Sequence, residues 1–281
     1  MLSHRVISST IIIAVLLAVA LWMPGPGLAL IVAAISLAGT YEFSALLRGS
    51  DVPHCRTVGL VASPILVLAT WYALQCGGVA HAAEVEIAFL LGYLIVIYLA
   101  VMLRSDLPAL TAVPSSLLML LYVPFLINFI TKLLFGWADG VGRGLVLYMI
   151  LIVKLSDIAA YFVGSAWGRH KAFPRISPAK SWEGCAAAVV AGVGAAVGVV
   201  LATGGDLRVV QVSVWHGAVL GLLLSVSGIF GDLVESTLKR AGGVKDSGSV
   251  VRGMGGILDV IDSLLLASPV LYVYCRVFLA G

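Results

Sequence analysis

LALIVAAISLAGTYEFSALL, residues Leu28 to Leu47, decides the fold. A helix rising 1.5 Å per residue needs about 20 apolar residues to cross the roughly 30 Å of hydrocarbon in a bilayer. Val6 to Trp22 is a similar run just upstream, and others recur to the C-terminus. The chain has 281 residues, of which 61% are hydrophobic and 11% charged, and its mean hydropathy is +1.10. That is more apolar side chain than a soluble domain can bury. About nine spans are predicted, near residues 5–23, 27–47, 57–75, 85–103, 111–135, 144–168, 183–203, 212–239 and 262–280. The expected fold class is therefore all-α: a polytopic integral membrane protein of about nine transmembrane helices. The first run reads as a span, not a cleaved signal, because it is long and MPGPG at Met23–Gly27 reads as a tight turn.

The cations orient the chain. With nine spans and a cytoplasmic N-terminus, twelve of the 17 lysines and arginines fall on the cytoplasmic side, and only Arg143, Arg208 and Arg276 on the other. Lys132 and Lys154 lie inside spans and are left out of the comparison. This bias follows the positive-inside rule. It places the loops Arg169–Glu183 and Lys239–Asp262 on the face where nucleotides are found. Cys55, Cys76, Cys185 and Cys275 have no paired spacing, and neither do the five histidines, so packing roles are expected.

Residues 1–137 carry few intramembrane charges and have prolines inside apolar runs, at 64, 114 and 124, which suits an N-terminal transmembrane scaffold. The catalytic region is expected in 138–281. There Gly184, Ala188, Gly192 and Ala196 recur every four residues, a pattern that lets helix backbones approach closely. Packing within the chain is the preferred use, and a homodimer would use the same pattern. In the loop before it, Ser177 followed by Pro178 fits the start of a short helix.

Charge is concentrated in GDLVESTLKRAGGVKDSGSVVRGMGGILDVID, Gly231 to Asp262, which holds five carboxylates and four cations. Asp232, Glu235, Ser236 and Lys239 share one helical face, and Asp259 and Asp262 are spaced i, i+3 at the start of the last span. A carboxylate within a span costs at least about 2.5–3.5 kcal/mol, so each calls for a partner or an aqueous cavity. Paired carboxylates suit Mg²⁺, which keeps waters and is often completed by phosphates. Lys239, Arg240 and Lys245 supply opposite charge, and the six glycines of the connecting loop let backbone amides approach anionic oxygens. Together these features describe a phosphate site.

The pattern SxLKRxxxxKDSGxxxxGxGGxLDxxDS, Ser236 to Ser263, resembles the signature of the phosphatidate cytidylyltransferase (CDP-diacylglycerol synthase) family. SDIAAYFVGSAWGRHK at Ser156–Lys171 and ISPAKSWEG at Ile176–Gly184 are similar to that family's upstream motifs, in order. The resemblance covers roughly the C-terminal half. It implies an enzyme of the cell's inner membrane, embedded in the lipid bilayer, that joins CTP to phosphatidic acid at its cytoplasmic face, releasing pyrophosphate. No nucleic acid is among the implied partners. The resemblance assigns Asp232 and Asp259 to the metal, with Asp262 and Asp246 as further candidates, and leaves open a second, monovalent cation. Lys239, Arg240 and Lys245 would hold phosphates, and Asp157, Lys180, Ser181 and Glu183 would complete the cavity.

Three departures from the family's PGHGG-x-x-DR-x-D pattern stand out. Arg252 replaces the proline, Met254 the histidine and Val260 the arginine. Methionine cannot carry a proton, and valine removes a guanidinium. Arg252 is expected to compensate for that lost cation, so Arg252→Ala should abolish turnover in a CTP incorporation assay; unchanged activity would remove it from the site. Two other readings remain open: a degenerate paralogue that binds nucleotide or lipid with little turnover, and a transporter with an intramembrane carboxylate site. A CDP-alcohol phosphotransferase is disfavoured because its DG-x-x-AR core is absent.

Overall fold

The computed structural model of the chain describes residues 22–104, 108–137, 142–244 and 256–279. Among these, seven helices are long and apolar enough to cross a membrane: α1 Gly25–Gly49, α2 Arg56–Leu103, α3 Ala109–Phe135, α4 Arg143–Trp167, α5 Trp182–Thr203, α6 Val214–Ala241 and α7 Ile257–Leu279. A two-stranded antiparallel hairpin, β1 Lys171–Phe173 and β2 Ser177–Ser181, lies between α4 and α5. The all-α membrane class follows, and large apolar side chains such as Leu103 and Leu110 stand on the outer surface, as suits lipid. The expected span at 5–23 lies outside the described residues except for Trp22 and Met23. So do Lys245, Asp246, Arg252 and Met254 of the charged loop.

The chain divides into two compact units. Unit 1 comprises 1–141 and 241–260, and unit 2 comprises 142–240 and 261–281, so the division falls inside α7, after Val260.

In unit 1, α1 begins after Pro24, with Pro26 in its first turn, where a missing N–H is harmless. α2 is too long for one crossing. Its Thr70 hydroxyl nevertheless lies 3.3 Å from Oε1 of Glu86, sixteen residues away, whereas a straight helix would separate them by about 24 Å. The chain doubles back at Gly78, whose φ of 69° and ψ of −159° suit glycine alone. The two arms match the separate spans expected at 57–75 and 85–103. Lipid tails are as apolar as leucine, so contacts between spans draw on close packing and hydrogen bonds. Ser36 and Thr40 of α1 meet Ser63 Oγ at 2.8 and 3.0 Å, and the Tyr93 hydroxyl donates to Ser116 O at 3.0 Å. In α3 a π-helical turn spans Leu121–Phe125, around Pro124.

One polar cluster in unit 1 was not anticipated. Lys132 Nζ lies 2.8 Å from Glu86 Oε2, and Asn128 Nδ2 donates to Glu86 Oε1 and to Thr70 Oγ1, each at 2.8 Å. All four residues are buried. Cys55 and Cys275 pack inside as expected, but Cys76 is exposed.

In unit 2, α5 buries Gly184, Ala188, Gly192, Ala196 and Val200, the expected small-residue face plus one valine. Its partners lie in the same chain. A Cβ on Gly184 would fall 2.9 Å from Ala160 O of α4, and one on Gly221 of α6 would fall 2.6 Å from Val193 Cα. Ser156 of α4 also donates to Ala188 O at 2.9 Å.

The expected helix start at Ser177 is corrected. Ser177–Ser181 is a strand paired in the register Lys171 to Ser181 and Phe173 to Ser177, and Pro178 is tolerated because a two-stranded sheet has only edge strands. The helix begins at Trp182. Ser181 caps it, its Oγ accepting the Gly184 N–H at 3.2 Å.

Candidate active site

The site in unit 2 is made possible by a glycine. A Cβ on Gly231 would lie 2.4 Å from Asp262 O and 3.1 Å from Ser263 Cα, so α6 and α7 meet backbone to backbone at this level. Asp232 is next along α6, and Glu235 follows on the same face. Carboxylate oxygens of Asp232, Glu235 and Asp262 all lie within 4.8 Å of one another. Glu235 and Asp262 are buried and Asp232 is half-buried.

Three negative charges so close repel by roughly 3 kcal/mol per pair at an effective dielectric of about 20. Lysines offset part of this. Lys180, at the end of β2, reaches Asp232 Oδ2 at 2.9 Å and donates to Ile229 O at 3.1 Å, tying the hairpin to α6. Lys239, one turn beyond Glu235, pairs with its Oε2. Asp262 Oδ1 accepts the N–H of Ser263.

Beside this group Lys154 of α4 contacts Ser263 Oγ at 3.1 Å and Asp157 Oδ2 at 3.4 Å, while Ser263 Oγ donates to Asp157 at 3.3 Å. The expected Asp157 thus meets α7 through a lysine and a serine absent from the expected set. Arg240 reaches the β-hairpin, its Nε 3.5 Å from Ile176 O.

The other expected residues make contacts of their own. Glu183 accepts from the His170 N–H and lies 2.6 Å from its ring Nδ1, so it closes the base of the hairpin. Ser181 is buried as the α5 cap. Asp259 belongs to unit 1, and its Oδ2 accepts the Gly256 N–H at 2.7 Å. Among the described residues, the acidic group takes Asp232 and Glu235 from α6 and Asp262 from α7, and Glu235 was not among the expected metal ligands. The i, i+3, i+4 face of α6 had already placed Glu235 next to Asp232. What the sequence lacked was a reason to treat it as a ligand.

The donor set tests the metal expectation. Three carboxylates offer hard oxygens with no thiolate or imidazole among them, and their charge exceeds that of the two lysines paired with them. That composition fits Mg²⁺.

A multi-pass membrane protein whose helices bring carboxylates and lysines together is the class that fold and site define. Within that class the comparison with known proteins is specific. The cytidylyltransferase family pattern matches residues 3–278, and the chain belongs to that family. It is 32% identical over 260 residues to the phosphatidate cytidylyltransferase of Brucella suis biovar 1, covering 92% of this chain and 87% of the relative. The enzyme of the same name from Mycobacterium leprae is 38% identical over 149 residues, 53% of this chain and 45% of that one.

Proposed function

We propose that the protein transfers the cytidylyl group of CTP to phosphatidic acid, forming CDP-diacylglycerol and pyrophosphate. The observation that carries this reading is the meeting of Asp232, Glu235 and Asp262 beside lysines, in a chain of the cytidylyltransferase family. In the reaction a phosphate oxygen of phosphatidic acid bonds to the α-phosphorus of CTP. The bond from that phosphorus to the oxygen bridging to the β-phosphate breaks, and pyrophosphate departs with the electron pair. The attacking group is a phosphomonoester with a second pKa of about 6, so it is already anionic and no strong protein base is needed.

Asp232, Glu235 and Asp262 would hold Mg²⁺, and the family resemblance adds Asp259 and Asp246. When bound, the ion supplies positive charge to the α-phosphate and to the departing pyrophosphate. Lys180 and Lys239 are held in place by their carboxylate partners and, with Arg240 and Lys245, present donors to phosphate oxygens. Lys154 orients Asp157 and Ser263. The chain crosses the inner membrane nine times with its N-terminus and site on the cytoplasmic side, as the cation bias supports. Because the small-residue face of α5 is committed within the chain, a homodimer would need another surface.

The test is incubation of purified protein with labelled CTP, phosphatidic acid and Mg²⁺. A labelled lipid and pyrophosphate are expected, both lost on chelation and regained when Mg²⁺ is returned. Nucleotide binding without lipid product would favour the degenerate paralogue, and solute flux into liposomes without chemistry would favour transport.

A further inference from the structure

The start of α7 presents an unusual arrangement within unit 1. The first amides of any helix have no intrahelical acceptor. An N-cap side chain normally serves them, but Gly256, the residue before Ile257, has none. The acceptor comes instead from α1. Glu42 Oε1 takes the Ile257 N–H at 2.9 Å and Oε2 takes the Leu258 N–H at 2.8 Å, across 215 and 216 residues of sequence. Asp259 reaches back to the Gly256 N–H, the reciprocal half of a capping box. Three consecutive amides are thereby satisfied by two carboxylates, at the positive end of the helix dipole.

The glycine is part of the same device. A Cβ on Gly256 would lie 2.3 Å from Glu42 Oε2 and 2.5 Å from its Cδ, so the carboxylate occupies the volume a side chain would need. Glu42 is 4% exposed. A glutamate so deep in a span is costly unless its hydrogen bonds are made.

We propose that Glu42 is a positioning residue for the reaction: it acts as the N-cap of α7 from another helix and thereby fixes the register of Asp262. Asp262 lies five residues beyond Ile257 on the same helix. A start displaced by one residue turns a helix by about 100° and moves it about 1.5 Å, which would carry that carboxylate off its face. The inference rests on the proposed reaction for its activity readout but not for its structural one.

Four variants test it. Glu42→Gln keeps one acceptor and sets an amide donor against the Leu258 N–H. It should lower kcat about 10–100-fold, the effect typical of a group that orients a metal ligand. The Mg²⁺ concentration for half-activity should rise, with KM for CTP little changed. Glu42→Ala should do the same more strongly, and hydrogen exchange at Ile257 and Leu258 should accelerate by at least about tenfold, since each loses its acceptor. Gly256→Ser should impair the wild-type background by clashing with Glu42. In the Glu42→Ala background it should instead recover activity and protection, because a serine at this position caps locally.

Unchanged exchange at Ile257 and Leu258 in Glu42→Ala overturns the capping. Normal specific activity per folded molecule in both Glu42 variants overturns the positioning role. A wild-type protein that makes no CDP-diacylglycerol but shows the exchange response leaves the capping standing and sinks the proposed reaction instead.

Discussion

Asp262→Asn is expected to reduce cytidylyl transfer about 10²–10³-fold, the loss seen when one preorganised electrostatic group is removed from a site, without unfolding the protein. The two consequences separate because the substitution does opposite things to function and to stability. Asparagine is nearly isosteric with aspartate and keeps an oxygen for the Ser263 N–H, which Asp262 Oδ1 accepts. It removes one of three charges whose oxygens lie within 4.8 Å of one another, and so relieves roughly 3 kcal/mol of repulsion per pair. The Tm in detergent should hold or rise while turnover with saturating CTP and phosphatidic acid collapses. A wild-type rate would take Asp262 out of the site, and a Tm that fell in step with activity would reduce its role to packing.

What could be read from the sequence, and what could not, divides along physical lines. The spans were legible because hydrocarbon thickness sets a length, and the arms of α2 fell at 57–75 and 85–103 for that reason. The turn at Gly78 falls in the interval left between those spans, although helix continues on both sides of it and the reversal is made at a single residue with φ of 69°. The α5 face was legible because a four-residue repeat of small side chains can only be one side of a helix, and Gly184, Ala188, Gly192 and Ala196 are buried together.

Asp232 and Glu235 were placed on one face by spacing alone, whereas the meeting of Asp262 with them depended on how far α7 sits along α6. Gly231 decides that, through a backbone contact that no periodicity reports. Glu42 was missed entirely, since a single carboxylate in an apolar run gives no hint of amides 215 residues away. The Ser177–Pro178 reading failed for a related reason. Serine then proline is a sound local signal for a helix start, but the backbone there pairs with Lys171–Phe173, and the cap fell to Ser181.

The same blindness to distant partners hid the charged pair inside unit 1, and it carries the second large effect. Lys132→Met is expected to destabilise the protein by about 3–5 kcal/mol, the cost of stranding a buried charge. Glu86 and Lys132 are 6% and 8% exposed, and the lysine ammonium also lies 3.9 Å from the centre of the Phe129 ring. Methionine fills most of the lysine's volume, so the loss would come from the abandoned carboxylate and not from a cavity. The Glu86→Met, Lys132→Met double variant should therefore recover much of the stability despite losing a second polar group, because two apolar residues can replace a buried ion pair at little cost. Recovery should stop short of wild type, since Asn128 Nδ2 would lose its 2.8 Å acceptor on Glu86, a deficit of about 1–3 kcal/mol. Equilibrium unfolding of the three proteins in detergent reads out the order: wild type, then double, then single. A single variant as stable as wild type, or a double variant less stable than the single, would mean that the pair is not what holds the α2 hairpin to α3.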